Sequence, residues 1–192
     1  MSTEPIFLIG ARGCGKTTVG QKLALACGFA FVDSDRMLQE RAGKSIADIV
    51  ALEGWDAFRA LEAETLRAVT RPASIIATGG GAILAAENRA FMRASGSVFY
   101  LQAPVSVLAR RLEVSPEEDQ RPTLTGKPID EEVREVLAQR EALYREAAHF
   151  AVDAARDPDA VVAQILAIAL PGAISTTCLL YTSDAADDLT TV

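Results

Sequence analysis

Residues 10–17 read Gly-Ala-Arg-Gly-Cys-Gly-Lys-Thr, which fits the spacing G-x-x-x-x-G-K-[ST]. The chemistry explains each type. Gly10, Gly13 and Gly15 let backbone N–H groups turn inward around phosphate oxygens. Lys16 reaches the β- and γ-phosphates of a nucleotide, and Thr17 offers a hydroxyl to Mg²⁺. A helix over 16–27 must follow, and its N-terminus adds a positive end to the same anion site. Cys14 lies inside the loop. Its thiol is either acidic and reactive near that helix end or simply a small tolerated side chain.

Such a loop does not separate a kinase from a GTPase switch or an ATPase, but no Asn-Lys-x-Asp guanine-reading stretch is present. The acceptor chemistry must come from the other polar residues. Asp33-Ser34-Asp35 is expected to end a strand, and a two-residue spacing there puts both carboxylates on one face. One can hold the metal's water shell and the other can take a hydroxyl proton; helix capping by Asp33 or Ser34 is the alternative. Thr78-Gly79-Gly80-Gly81 leaves bare backbone for a substrate to approach, or is a plain strand-to-helix turn. Arg59 stands three residues before Glu62, which can orient it for a ligand, or the two form a plain surface ion pair. Arg140 shares a helical stripe with Val133, Leu137, Tyr144 and Ala147, and an arginine on an apolar stripe should be paired or bind an anion, or else snorkel at the stripe's edge. Arg121 is placed to swing onto a transferring phosphoryl group. Arg110 or Arg111 either stacks on a nucleotide base or lies at a solvated helix end.

The elements that must carry these residues follow from periodicity. Apolar runs at 6–9, 29–32, 74–77, 98–101 and 150–152 read as buried strands, with helical patterns between them. That alternation means βαβ units and a mostly parallel sheet covered on both faces. Ser45-Ile-Ala-Asp48 resembles a capping box, and Asp130-Glu131-Glu132 puts three acids in the first turn of a helix running to about residue 148. Residues 113–127 hold Pro116, Pro122 and Gly126 and break the helical period, as either a functional lid or a disordered loop would. Residues 175–192 have no period and no Lys or Arg. They read as a tail outside the fold, either non-native vector or adapter sequence or a disordered extension.

Composition sets the outer bounds. One domain fits 192 residues, and 49% hydrophobic residues suffice for a core. A net charge of −7 argues against a nucleic-acid partner. Only four of the 19 cations are lysines, so an anion site must gather its few cations locally. Three scattered cysteines make neither a disulfide framework nor a zinc site. With no signal-like start and no membrane-length apolar run, a soluble cytoplasmic protein without a membrane partner is the expectation.

Together, residues 10–18, Phe31-Val-Asp-Ser-Asp35, Phe58-Arg59-x-x-Glu62, Thr78-Gly-Gly-Gly81, Arg121-Pro-Thr-Leu and Arg140-x-x-x-Tyr144 resemble shikimate kinase, closest to the type II enzymes of enteric bacteria. The resemblance covers residue 1 to about 170, and no motif position departs from the family pattern. It implies a P-loop α/β three-layer fold like that of nucleoside-monophosphate kinases. The sheet would be five-stranded and parallel, in order 2-3-1-4-5, with a lid at 113–127 and a shikimate-binding region at 36–64 inside a domain spanning 1–174. It implies ATP-dependent phosphorylation of the shikimate 3-hydroxyl, a step toward chorismate and the aromatic amino acids. Shikimate contacts are implied for Asp35, Arg59, Gly80 and Arg140, and Mg²⁺ binding for Thr17 and Asp33. Nucleotide contacts are implied for Gly13, Cys14, Gly15, Lys16, Thr17, Thr18, Arg111 and Arg121. Lys16, Asp35 and Arg121 would carry the chemistry. A monomer is expected.

Overall fold

The computed structural model describes residues 2–114 and 126–169. Their order is β1 (Ile6–Ile9), α1 (Lys16–Cys27), β2 (Ala30–Asp33), α2 (Ser34–Ala42), α3 (Ile46–Glu53), α4 (Trp55–Val69), β3 (Ser74–Ala77), a 3₁₀ turn (Ala82–Leu84), α5 (Ala86–Ser95), β4 (Ser97–Gln102), α6 (Val105–Val114), α7 (Ile129–Ala147), β5 (Phe150–Asp153) and α8 (Pro158–Ala169). The five strands form one sheet in the order β2-β3-β1-β4-β5, and every pair is parallel. Arg121, most of the expected lid and the whole 175–192 tail lie outside the described residues.

The central strand shows why the sheet is covered on both faces. All four residues of β1 are buried. Ile6 and Leu8 pack with α1, α6 and α8 through Val19, Leu23, Leu108, Val161 and Ile165. Phe7 and Ile9 face the other way, toward Leu66 of α4, Met92 of α5, and Tyr144 and Ala147 of α7. The period of two thus sends alternate residues into two cores, as a three-layer fold requires. A third, smaller cluster of Leu38, Ile46, Ile49 and Phe58 holds α2, α3 and α4 to one another.

Several boundaries differ from the sequence expectation. Strand β2 starts at Ala30 rather than Phe29, because the N–H of Phe29 donates to Ala24 O at the end of α1 (2.9 Å) while Ala30 N–H reaches Ala73 O (3.0 Å). Helix α6 continues to Val114, so the first two residues of the expected lid are helical. Asp35 is not on a strand: the chain turns into α2 at Ser34. The Ser45 cap forms as expected, its hydroxyl accepting from Asp48 N–H at 3.1 Å. Among the described residues no helix is long and apolar enough to cross a membrane.

Register brings the motifs together. Asp33 pairs with Ala77, and Ala77 pairs with Leu8. The phosphate loop after β1, the aspartate ending β2 and the glycine run after β3 therefore leave the sheet side by side. They do so at its carboxyl edge, where open α/β sheets bind ligands.

Candidate active site

Gly15 caps α1 with φ +94°, a left-handed conformation that glycine adopts without steric cost. The next residue, Lys16, folds back over the loop. Its Nζ donates to Gly10 O (2.6 Å) and Ala11 O (3.2 Å) and lies 3.6 Å from Cys14 Sγ. Cys14 is buried in the core beneath the loop, which favours the small-side-chain reading over an exposed reactive thiol. Thr18 and Thr17 are exposed at the helix start. Thr17 Oγ1 donates to Asp33 Oδ2 at 3.3 Å.

Asp33 has two jobs. While Oδ2 takes the Thr17 hydroxyl, Oδ1 accepts from the N–H groups of Asp35 (3.1 Å) and Arg36 (3.2 Å) and so caps α2. This cap replaces the expected strand pairing of the two carboxylates: Asp35 sits in the first turn of α2, where an acid also suits the helix dipole. The metal-site and capping readings of Asp33 are therefore compatible rather than exclusive.

Arg111 does something neither sequence reading foresaw. Its Nη1 donates to Gly13 O (3.2 Å) and Cys14 O (3.3 Å), and its Nη2 to Ala154 O after β5 (2.8 Å). It fastens the outer rim of the phosphate loop to the β5–α8 connection. Arg110 beside it is exposed.

The opposite wall is built from arginines and bare backbone. Arg59 Nη1 bonds Glu62 Oε1 at 2.9 Å, and its guanidinium lies 5.5 Å from the Trp55 ring centroid and 5.1 Å from that of Phe58. Such stacking holds a planar guanidinium well. Glu62 is 2% exposed, and burial pushes its carboxyl above the usual range, against the pull of Arg59 and Arg140. Its second oxygen, Oε2, has no hydrogen-bond partner among the described residues. Gly81 lies flat against Arg59: an added Cβ would sit 2.3 Å from Nη1. Gly79, Gly80 and Gly81 are all buried. Arg140 is 6% exposed on α7, and its charge is felt by both Glu62 and Arg12.

Arg12 and Glu132 are members of this cluster that sequence reasoning missed. Burial lowers Arg12 from the ordinary arginine range, Glu132 pulls it back up, and Arg140 lowers it further. Arg12 occupies an unspecified position of the phosphate motif, so its type carried no signal. Glu132 is buried, although its position suggested a solvated dipole acid. One signal was available: it precedes Arg140 by eight residues, two or so helical turns along the same face.

The described residues thus bring together Gly13, Cys14, Gly15, Lys16, Thr17, Thr18 and Asp33 on one side. Arg59, Gly80 and Arg140 stand on the other, with Asp35 at the start of α2. The first group can hold phosphate and a hard cation, and the second can clamp a planar anion by charge-assisted hydrogen bonds.

Known proteins resemble this chain along most of its length. A family model described as shikimate kinase matches residues 12–169. The chain is 64% identical over 164 residues to shikimate kinase 2 of Enterobacter sp. (strain 638), covering 85% of this chain and 94% of that one. It is 57% identical over 173 residues to shikimate kinase 2 of Sodalis glossinidius, covering 90% and 99%. Among solved structures, shikimate kinase from Acinetobacter baumannii in complex with shikimate aligns with a TM-score of 0.81 at 36% identity, covering 90% of this chain and 96% of that one.

Proposed function

The chain belongs to the shikimate kinase family, and from that premise we propose that it transfers the γ-phosphoryl group of ATP to the 3-hydroxyl of shikimate. The products are shikimate 3-phosphate and ADP, on the way to chorismate and the aromatic amino acids. The observation that carries the reading is the convergence, at one sheet edge, of a phosphate loop with the arginines Arg59 and Arg140. One grips the donor, and the other pair suits the single carboxylate of a small polyhydroxy acid.

Arg59 and Arg140 take the shikimate carboxylate, where planar guanidinium forks bind better than lysines. The backbone at Gly80 adds hydrogen bonding to the ring substituents. Asp35 orients the attacking hydroxyl and receives its proton as the oxygen–phosphorus bond forms and the bond to the ADP oxygen breaks. Gly13, Cys14, Gly15 and Thr18 present loop and helix N–H groups to the phosphates. Lys16 exchanges its carbonyl partners for the β- and γ-oxygens, and Arg121 adds positive charge from the lid. Because the transition state is loose, positioning and charge carry most of the rate. Closure of 113–127, and of 36–64 on its separate small core, keeps water from taking the phosphoryl group. Arg111 supports nucleotide binding by holding the loop rim.

The oxygens of Thr17 and Asp33 suit Mg²⁺, a hard cation that binds through one or two protein oxygens plus substrate phosphates. No group of three or more His, Cys, Asp or Glu side chains forms a metal cluster among the described residues. An Mg²⁺ ion held by these two residues would supply positive charge to offset the charge that develops on the transferring phosphoryl group.

A coupled ADP-release assay with ATP, Mg²⁺ and shikimate, with gluconate as control acceptor, tests the proposal. ADP should appear with shikimate and not with gluconate. Turnover with gluconate alone, or none with shikimate, would overturn it.

A further inference from the structure

Tyr144 follows Arg140 by one helical turn on the buried face of α7. Its side chain is fully buried, and its hydroxyl donates to Gly80 O at 2.6 Å, across 64 residues of sequence. The ring has little freedom. It stacks on Tyr100 with centroids 5.0 Å apart and planes 18° apart, and Tyr100 in turn donates its hydroxyl to Glu141 of the same helix. Gly80, by contrast, has no side chain and a glycine on either side.

The Gly80–Gly81 peptide is planar and trans, so fixing its carbonyl also fixes the Gly81 N–H, which points the opposite way. Among the described residues no hydrogen bond uses the N–H of Gly80 or Gly81, although both residues are buried. Buried amide donors in folded proteins take a partner. Here a bound acceptor substrate can supply it.

We infer that Tyr144 is a positioning residue for the acceptor: its hydroxyl sets the plane of the Gly80–Gly81 peptide, and with it the amide presented to shikimate, from the same helix that carries Arg140. This rests on the acceptor reading above. It adds a residue that touches the acceptor site only through another.

The test is Tyr144→Phe, which keeps the ring stack and removes only the hydroxyl. Trp55, the single tryptophan, lies against Arg59, so its fluorescence reports shikimate binding without turnover. We expect the Kd and KM for shikimate to rise about fivefold or more, the loss of one buried hydrogen bond. The KM for ATP and kcat should stay within about twofold, and the protein should melt as a folded chain. Unchanged shikimate affinity overturns the inference. So does a parallel loss of ATP and shikimate affinity, which marks a purely structural tyrosine. The underlying reading fails separately, in the parent protein, if that makes no ADP with shikimate, and the inference then falls with it.

Discussion

Replacing Gly81 by alanine should disable acceptor binding while sparing the fold. Gly81 has φ −100°, which alanine adopts freely, so the backbone is not strained. The added Cβ would lie 2.3 Å from Arg59 Nη1, 2.4 Å from Nη2 and 2.5 Å from Cζ. Comfortable carbon contacts begin near ~3.5 Å, so the guanidinium must withdraw by about 1 Å. It is the far end of a flexible side chain, and it can move. Doing so pulls it from Glu62 at 2.9 Å and from the Trp55 and Phe58 rings. Stability should change little, by about 1 kcal/mol, because reduced freedom of the unfolded chain offsets part of the lost contact. That corresponds to about 2–4 °C in Tm for a protein this size. Binding should suffer more. One misaligned charge-assisted hydrogen bond is worth about 1.5–3 kcal/mol, so the KM for shikimate should rise roughly 10- to 100-fold. The interaction serves ground state and transition state alike, so kcat should fall far less than affinity. Steady-state ADP release at saturating ATP, with Trp55 fluorescence for direct binding, measures both. A shikimate KM within twofold of the parent would refute the role given to Arg59. An equal rise in the KM for ATP would refute the separation of donor and acceptor walls.

Lys16→Met should lower kcat by about 100-fold or more in the same assay, because it removes the lysine charge assigned to the β- and γ-phosphates; activity within threefold of the parent would remove the loop lysine from the mechanism. For Glu62, burial raises the folded-state pKa above the ordinary glutamate value of 4.5. The folded chain then holds the proton more tightly than the unfolded one, so stability falls as pH rises from that value upward through the folded pKa. Thermal melts from about pH 4.5 to 7 should show this decline weakened in Glu62→Gln, whose site does not titrate; an unchanged profile would assign the decline to other groups. Deleting residues 175–192 should leave Tm and kcat unchanged, since the family match ends at residue 169; a lower Tm would show that the segment packs on the domain.

Local chemistry was the most legible part of the chain. Helix α1 begins and ends where the sequence placed it, at Lys16 and Cys27, because glycines at 15 and 28 allow left-handed turns at both ends. The sheet order agrees with that implied by the family resemblance. Asp35 departs from the strand expectation because alternation along a strand assumes that the strand continues, whereas the Asp33 carboxylate ends it by capping the next helix. The position of Arg111 near a helix end suggests base stacking or a solvated end, but its partners Gly13, Cys14 and Ala154 lie far away in sequence. Tyr144 was correctly placed on the apolar stripe of α7, yet its contact with Gly80 depends on how that helix crosses the sheet. Periodicity reports which face is buried and not what it meets.

The sheet order has a consequence for evolvability. Strands β2 and β3, with α2 to α4, lie on one side of β1, and β4 and β5 lie on the other. The proposed acceptor groups Arg59 and Gly80 come from the first half, while Arg111 and its Ala154 anchor come from the second. Acceptor preference can therefore drift in the first half provided that Asp33, which ends β2 and bonds Thr17 of the phosphate loop, is kept. Helix α7 breaks that modularity, since it follows β4 in the chain yet delivers Arg140 and Tyr144 to the acceptor half. A lineage that changes its acceptor should thus show compensating substitutions in α7, at positions otherwise read as core.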